Sequence, residues 1–238
     1  KLIVATHFAG WPANMDYLEE LGRLNGVKVL TDAAHGIEVE YRGRRSGVLG
    51  DGSCYSFYAT KNITTGEGGM FTTNDDEIAE RVKTLRLHGM TKSAWDRYGP
   101  SGYKHWDIVE PGWKYNLGDM QASLGLAQLA DMDDWLRKRE ILEKAYREKL
   151  DGVVSMLRRD DIGIKRAHHL FVIQVPKRDE IMREMQERGV GVGVHFRAVH
   201  RLKYYQEKYS IKAEIITIQR IPLPHQSPED TDLQQMCI

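Results

Sequence analysis

The sequence predicts an α/β protein in which a mainly parallel sheet is followed by a smaller α+β domain. In the first half of the chain, short apolar segments such as "LIVATH" and "VKVLTD" alternate with amphipathic helical segments. This order is typical of parallel strands joined by right-handed crossovers. After Asp151 the strand and helix patterns become shorter and mixed. We therefore assign residues 1–150 to part of a large α/β domain with connecting helices, and residues 151–238 to a small, truncated α+β domain.

Local signals support the predicted elements of the first half in order. The segment "NMDYLEELGRLNG" favours a helix that Asn14 caps at its start and Gly26 closes at its end. "SCYSFY" and "GGMFTTN" favour strands, with a buried thiol at Cys54, and "DDEIAERVKTLRLHG" favours a helix. Residues 95–112 lack periodicity and predict a long loop of the kind that usually carries function or an interface.

The remaining elements follow from the same patterns. A long helical stretch comes after the predicted loop and is expected to break near the aspartates at 131–134. Beyond Asp151, "HHLFVIQV" and "VGVGVHF" favour strands, whereas "KRDEIMREMQERG" and "LKYYQEKY" favour helices. These short elements place the predicted domain boundary near residues 150–153.

The composition is that of an ordinary globular protein and excludes several classes. The 238 residues carry 34 Lys+Arg against 34 Asp+Glu, so the formal net charge is zero. A dedicated nucleic-acid or membrane-surface protein would show a basic excess or cluster, and no apolar run approaches the ~20 residues that span a bilayer. Two cysteines are too few for a disulfide scaffold. We predict a cytoplasmic protein that binds neither nucleic acid nor membrane, and we predict no metal site.

Asp32 follows the apolar run "VKVL" and is predicted to lie at the carboxyl end of a strand. In open parallel sheets, ligands bind beyond these strand ends. Ala33, Ala34 and Gly36 are small, so a flat ligand can lie close to the backbone there. A carboxylate buried at this place requires a cationic partner. An equally good interpretation from the residue alone is a helix N-cap or a hydrogen-bonded turn.

Lys61 lies in "SFYATKNITTGEGG", a stretch of small and hydroxylated residues with few competing charges. A lysine in a partly dry pocket can lose its proton and attack a carbonyl group. Taken alone, a surface lysine is the more common outcome. The pairing with Asp32 favours the chemical interpretation, because pyridoxal 5′-phosphate (PLP) needs a carboxylate that keeps its pyridine nitrogen protonated and an amine that forms a Schiff base.

Four segments together resemble the DegT/StrS family of sugar-nucleotide aminotransferases: "TDAAHG", "SFYATKNITTGEGGMFTTND", "LRLHGM" and "PGWKYNLGDMQASLGLAQL". The resemblance covers nearly the whole chain in the same order. It implies the aspartate aminotransferase-like fold (fold type I of PLP enzymes) and PLP as the cofactor. Within the family, "HFAGWPANMD" and "GVHFRAVHRLKYYQEKY" are similar to the subgroup of UDP-4-amino-4-deoxy-L-arabinose–oxoglutarate aminotransferases.

The resemblance also implies roles for individual residues. Lys61 would carry the Schiff base and move protons, and Asp32 would pair with the pyridinium nitrogen. His35 would lie against the cofactor near its phenolic oxygen, and Ser56 would donate a hydrogen bond to its phosphate. Asn116 would reach the phosphate of the cofactor in the neighbouring subunit, so the resemblance implies a homodimer with shared active sites. His195 and Arg197 in "HFR" are candidates for the substrate side.

The implied reaction moves an amino group from glutamate, which leaves as 2-oxoglutarate, to the 4-keto group of a nucleotide-linked sugar. Relatives that dehydrate sugars place histidine at the lysine position, so Lys61 favours amino transfer over a PLP-dependent dehydratase. Two other interpretations stay open: a lysine Schiff-base aldolase without cofactor, and a non-catalytic relative that binds a nucleotide sugar or acts as a regulator or scaffold.

The ends of the chain predict a fragment of a longer protein. Its first residues, "KLIVATHF", already read as a buried strand, and the family's Gly-Thr phosphate-binding turn and ring-stacking aromatic are expected upstream of it. The last residues, "QQMCI", fall where the family has its final helix. We therefore expect that this chain alone lacks half of the cofactor cup.

Overall fold

The computed structural model describes residues 1–91, 105–157, 162–209 and 234–237. These residues divide into two compact units. The first unit consists of Lys1–Arg139 and Ile162–His169, and the second consists of Glu140–Asp161 and Leu170–Ile238. The assignment of whole domains to residues 1–150 and 151–238 stays a prediction.

A four-stranded sheet forms the centre of the first unit. Its strands are β1 (Leu2–Thr6), β2 (Lys28–Asp32), β5 (Gly52–Ser56) and β6 (Gly69–Thr72). They lie in the order β1-β2-β5-β6, with the first three parallel and β6 antiparallel to β5. The parallel part agrees with the sequence pattern. The last strand reverses direction because the chain returns beside β5 through a loop and not through a crossover helix.

Four α-helices lie in the described residues of this part of the chain. They are α1 (Met15–Asn25), α2 (Asp76–Leu85), α3 (Asp119–Leu129) and α4 (Met132–Leu150), and the boundary between the two units falls within α4. The Asn14 side chain accepts the N–H of Tyr17 at 3.2 Å, and Gly26 ends α1 with φ +59°, so both predicted caps form. The helical stretch breaks at residues 130–131, next to the predicted position.

The core of the first unit lies on one face of the sheet. Ala5 and Val29 pack there against Met15 of α1 and against Leu49, all of them buried. Residues of the opposite face, including Leu2, Val4 and Cys54, are exposed. The prediction of a buried thiol at Cys54 is therefore wrong in this chain, because period-two alternation places it on the face away from the core.

A second, smaller sheet brings a distant segment back to the first unit. It consists of β3 (Glu40–Tyr41), β4 (Arg44–Arg45) and β8 (Ile164–Lys165), and β3 pairs antiparallel with both others. Residues 162–169 belong to the first unit through this pairing, although they lie in the second half of the sequence. No local pattern in the sequence predicts this strand, since its partner is more than a hundred residues away.

The described residues of the second unit contain an antiparallel sheet, the C-terminal part of α4 and two further α-helices. Their bounds are β7 (Ser155–Met156), β9 (Val172–Val175), β10 (Gln234–Cys237), α5 (Arg178–Glu187) and α6 (Lys203–Tyr209). Its core packs Phe171, Ile173 and Val175 against Met156 and Met236. The strand predicted from "VGVGVHF" does not form in the described structure. Its glycines provide no side chains to pack.

None of the helices within the described ranges has both the length and the apolar character that crossing a membrane requires. The predicted loop over 95–112 is described only from residue 105 onward, and from there to Gly112 it contains no helix or extended strand.

Candidate active site

The candidate site starts at the carboxyl ends of the parallel strands. Asp32 is the last residue of β2 and lies opposite Thr6 of β1 and Cys54 of β5. Its Oδ1 accepts the N–H of Ala34 at 3.0 Å, which holds the half-buried carboxylate in the turn that follows the strand. The sequence prediction of a carboxylate at a strand end is therefore correct in position.

Lys61 stands on the loop that joins β5 to β6. The base of this loop is closed by the pair Ser56–Gly69 and by the Phe57 N–H, which donates to the Gly68 carbonyl at 2.8 Å. Farther along, α3 holds the loop through Gln128, whose side chain accepts the Thr64 N–H at 3.0 Å and donates to the Thr64 carbonyl at 2.6 Å. Lys61 thus lies on a loop that hydrogen bonds hold both at its base and at Thr64.

The structure brings Lys61, His35 and Ser56 to one small cavity. Its lining also includes Ala33, Ala34, Gly36, Ile37, Asn62 and Ile63. The enclosed volume is only about 10 Å³, which is about the space of one water molecule. The described residues therefore form one wall of a site and not a closed cup.

Burial and charge act in opposite directions on the amine of Lys61. Burial lowers the pKa of Lys61 below its ordinary value, and the nearby Asp32 carboxylate partly raises it. A lowered pKa leaves a larger fraction of the amine neutral and nucleophilic. Because the Asp32 carboxylate affects the pKa of Lys61, the two side chains lie close enough to interact. The sequence predicts this pairing.

His35 and Ser56 are oriented by backbone N–H groups. The Nδ1 atom of His35 accepts the Ala9 N–H at 3.3 Å, so the proton of the neutral ring lies on Nε2. The Ser56 oxygen accepts the Tyr58 N–H at 3.3 Å, which leaves the hydroxyl hydrogen to donate elsewhere. Both side chains are thereby prepared as donors beside Lys61.

His7 is a site neighbour that the sequence analysis missed. It follows β1 directly, is fully buried, and accepts the Ala13 N–H at Nδ1 over 3.2 Å. Burial lowers the pKa of His7 to about 4, while Asp32 acts in the opposite direction. A histidine at the end of the strand next to that of Asp32 was the signal that could have revealed it.

The remaining predicted residues lie elsewhere. Asn116 does not line the Lys61 cavity. It contributes to a separate groove of about 600 Å³ between the start of β6 and the residues that precede α3. His195 and Arg197 belong to the second unit, in the segment between α5 and α6, where the His195 ring contacts Phe196. A role of Asn116 across a subunit interface, and of His195 and Arg197 toward substrate, stays a prediction.

The groups present fit PLP. A strand-end carboxylate, a partly dehydrated lysine amine and a hydroxyl donor match its pyridine nitrogen, aldehyde and phosphate. Ala33, Ala34 and Gly36 line the same cavity as Lys61. Gly36 packs closely against His7, because a side chain at Gly36 would come within 3.1 Å of the His7 Cβ. An aspartate and a lysine beyond the strand ends of a parallel sheet are thus the two groups that a PLP-binding protein requires.

Comparison with known proteins identifies the family. The chain belongs to the DegT/DnrJ/EryC1/StrS aminotransferase family, whose sequence model matches residues 1–236. It is 40% identical over 222 residues to the spore coat polysaccharide biosynthesis protein SpsC of Bacillus subtilis, covering 89% of this chain and 57% of SpsC. It is 38% identical over 239 residues to the uncharacterized protein MJ1066 of Methanocaldococcus jannaschii, covering 94% and 61%.

A solved structure supports the same assignment. The crystal structure of S. venezuelae DesV in complex with a ketimine intermediate superimposes with a TM-score of 0.78 at 27% identity, covering 100% of this chain and 59% of DesV. The predictions of the family, of the aspartate aminotransferase-like fold and of PLP as the family's cofactor are confirmed. The chain spans about 60% of the length of the curated relatives it matches.

Proposed function

We propose that this chain belongs to a PLP-dependent aminotransferase that moves an amino group from glutamate to the 4-keto position of a nucleotide-linked sugar. The observation that carries the proposal is the meeting of Lys61, His35 and Ser56 at one cavity, with Asp32 close enough to affect the pKa of Lys61. Family membership supports the type of reaction.

Each residue of this wall has a definite task in that reaction. PLP, when bound, supplies the electron sink that amino transfer requires. The Lys61 amine would hold the cofactor and then carry a proton to and from the reacting carbon. Asp32 would keep the pyridine nitrogen protonated, and the Nε2–H of His35 and the hydroxyl of Ser56 would donate to the phenolic and phosphate oxygens.

The substrate and partners are inferred from relatives. SpsC is named for polysaccharide biosynthesis, which supports a sugar as the amino acceptor. We propose a homodimer in which Asn116 serves the neighbouring active site, as the family resemblance implies. We also propose a cytoplasmic location, which agrees with the free thiol of Cys54.

Chemical trapping tests the proposal in the full-length protein. After reconstitution with PLP, borohydride reduction is expected to fix the cofactor on the peptide that contains Lys61. Lys61→Ala should lose this label and all measurable amino transfer from glutamate to nucleotide-linked keto sugars. Lys83→Ala is the matched control, because Lys83 is an exposed lysine of α2 whose ion pair with Glu80 lies on the helix surface.

Three results would contradict the proposal. One is a Lys61→Ala protein that transfers amino groups at the parental rate, and another is a label that falls on a different lysine. The third is a protein that stays colourless with PLP yet binds nucleotide sugars, which would favour the non-catalytic interpretation.

A further inference from the structure

We infer that His169 is a positioning residue for the candidate active site, because it links the residue that follows Lys61 to the ring of His35. This inference rests on the proposed function for its meaning in catalysis. The network itself lies wholly within the first unit and can be tested without the cofactor.

The side chain of Asn62 is oriented by its acceptors. Its Nδ2 atom donates to both carboxylate oxygens of Glu38 at 2.9 Å and to the carbonyl of Ala167 at 2.9 Å. The amide oxygen Oδ1 must therefore face the other way, where it lies 2.7 Å from Nδ1 of His169. Because an amide oxygen only accepts hydrogen bonds, Nδ1 of His169 must carry a proton.

His169 contacts His35 with the face of its ring. The two ring centroids are 4.3 Å apart, at an interplanar angle of 33°. His35 is also held at Nδ1 by the Ala9 N–H. The ring that is proposed to meet the cofactor is therefore fixed by a hydrogen bond on its edge and by His169 on its face.

Glu38 is the buried carboxylate that holds Asn62 in its hydrogen-bonded network with His169. Its side chain is 1% exposed, and Arg139 approaches it to 3.6 Å. Burial raises the pKa of Glu38, and the hydrogen bonds from Asn62 oppose this rise. A buried carboxylate keeps its hydrogen-bond donors in place, because losing one leaves an uncompensated polar group.

The segment that carries His169 is tied to the site by its backbone. Ala167 donates its N–H to the Gly10 carbonyl at 3.0 Å, and its own carbonyl accepts from Asn62. Arg166 lies over the Trp11 ring at 4.3 Å from the centroid. A side chain at Gly10 would come within 3.0–3.1 Å of residues 167–169, so this close approach is built into the fold.

Histidine tautomers provide the first test. In the cofactor-free, full-length protein, ¹⁵N-detected NMR is expected to show the proton of His169 on Nδ1 and that of His35 on Nε2. A parental protein in which His169 is protonated only on Nε2 overturns the inference. This measurement needs neither PLP nor turnover. It can therefore refute the inference about His169 while the trapping experiment supports Lys61 as the PLP-binding residue, and it can support the inference while the trapping experiment contradicts the proposed function.

Variants provide the second test, in the holoenzyme. His169→Phe keeps a ring against His35 but loses the donor to Asn62, whereas His169→Gln keeps a donor and loses the ring. If the hydrogen bond positions the site, His169→Phe should lower kcat about tenfold with little change in KM. It should also shift the pH midpoint of the absorbance of the bound cofactor. His169→Gln should recover only part of both changes, because it restores the donor to Asn62 but not the ring against His35.

Asn62→Ala should reproduce the effect of His169→Phe and move the NMR signals of His35. Asn25→Ala is the matched control, since Asn25 is exposed at the end of α1 and bonds only locally to Leu21. The inference is overturned if His169→Phe keeps the parental kcat, the parental pH midpoint of the cofactor absorbance and the parental NMR signals of His35. Such a result would show that the hydrogen bond from His169 does not position the site. If Asn62→Ala does not fold, the inference is still tested by the histidine tautomers of the parental protein and by the His169→Phe variant.

Discussion

Replacing His7 with glutamine is expected to make the protein less sensitive to acid. His7 is fully buried, and its Nδ1 accepts the Ala13 N–H, so protonation would both place a charge in the interior and remove this acceptor. Burial accordingly lowers the pKa of His7 from 6.5 to about 4, and Asp32 offsets only part of the effect. Glutamine cannot ionise and therefore removes this dependence on pH.

The size of the effect follows from linkage. Between pH 6.5 and about 4 the unfolded chain binds a proton at this residue and the folded chain does not, so the free energy of unfolding falls as the pH decreases through this window. At ~1.4 kcal/mol per pH unit, the loss at His7 amounts to about 2 kcal/mol by pH 5 and about 3 kcal/mol by pH 4. Above pH 6.5 the penalty is absent.

Urea unfolding of the cofactor-free protein measures this difference. Parent and His7→Gln would be compared at about pH 7.5, 5 and 4 by linear extrapolation, and the difference between them cancels carboxylates that titrate in both. The parent should lose about 3 kcal/mol more than His7→Gln. His88→Gln makes the same chemical change at an exposed position and should follow the parent. If the free energy of unfolding falls by the same amount in the parent and in His7→Gln as the pH decreases, the reasoning is refuted.

Two further predictions concern local stability. Gly50 has φ +64° and a side chain there would overlap the Val29 carbonyl, whereas Gly43 has φ +78° with open space around it. Gly50→Ala should lower the free energy of unfolding by about 3 kcal/mol and Gly43→Ala by about 1 kcal/mol; equal losses in urea would contradict the overlap. Asp75 caps α2 by accepting two backbone N–H groups at its N-terminus, so Asp75→Ala should cost about 1 kcal/mol, and an unchanged urea midpoint would show that the cap is not stabilising.

Local sequence signals were sufficient wherever a residue acts within its own segment. Asn14 and Gly26 could be assigned as caps because a cap bonds to the backbone a few residues away. Asp32 and Lys61 could be placed at one edge of the sheet, because parallel strands end together. The exposed position of Cys54 could not be anticipated, since a strand pattern does not show which face meets the core.

The sequence by itself determined the α/β class, the strand-end aspartate, the lysine loop and the family, because these depend on short motifs and periodicity. Only the tertiary structure decided that Glu38, Asn62 and His169 meet. Asn62 and His169 are 107 positions apart in the chain, and their hydrogen bond exists only because residues 162–169 return to the first unit. Buried hydrogen bonds between distant segments depend on how the chain folds back, and no local pattern of residues encodes that geometry.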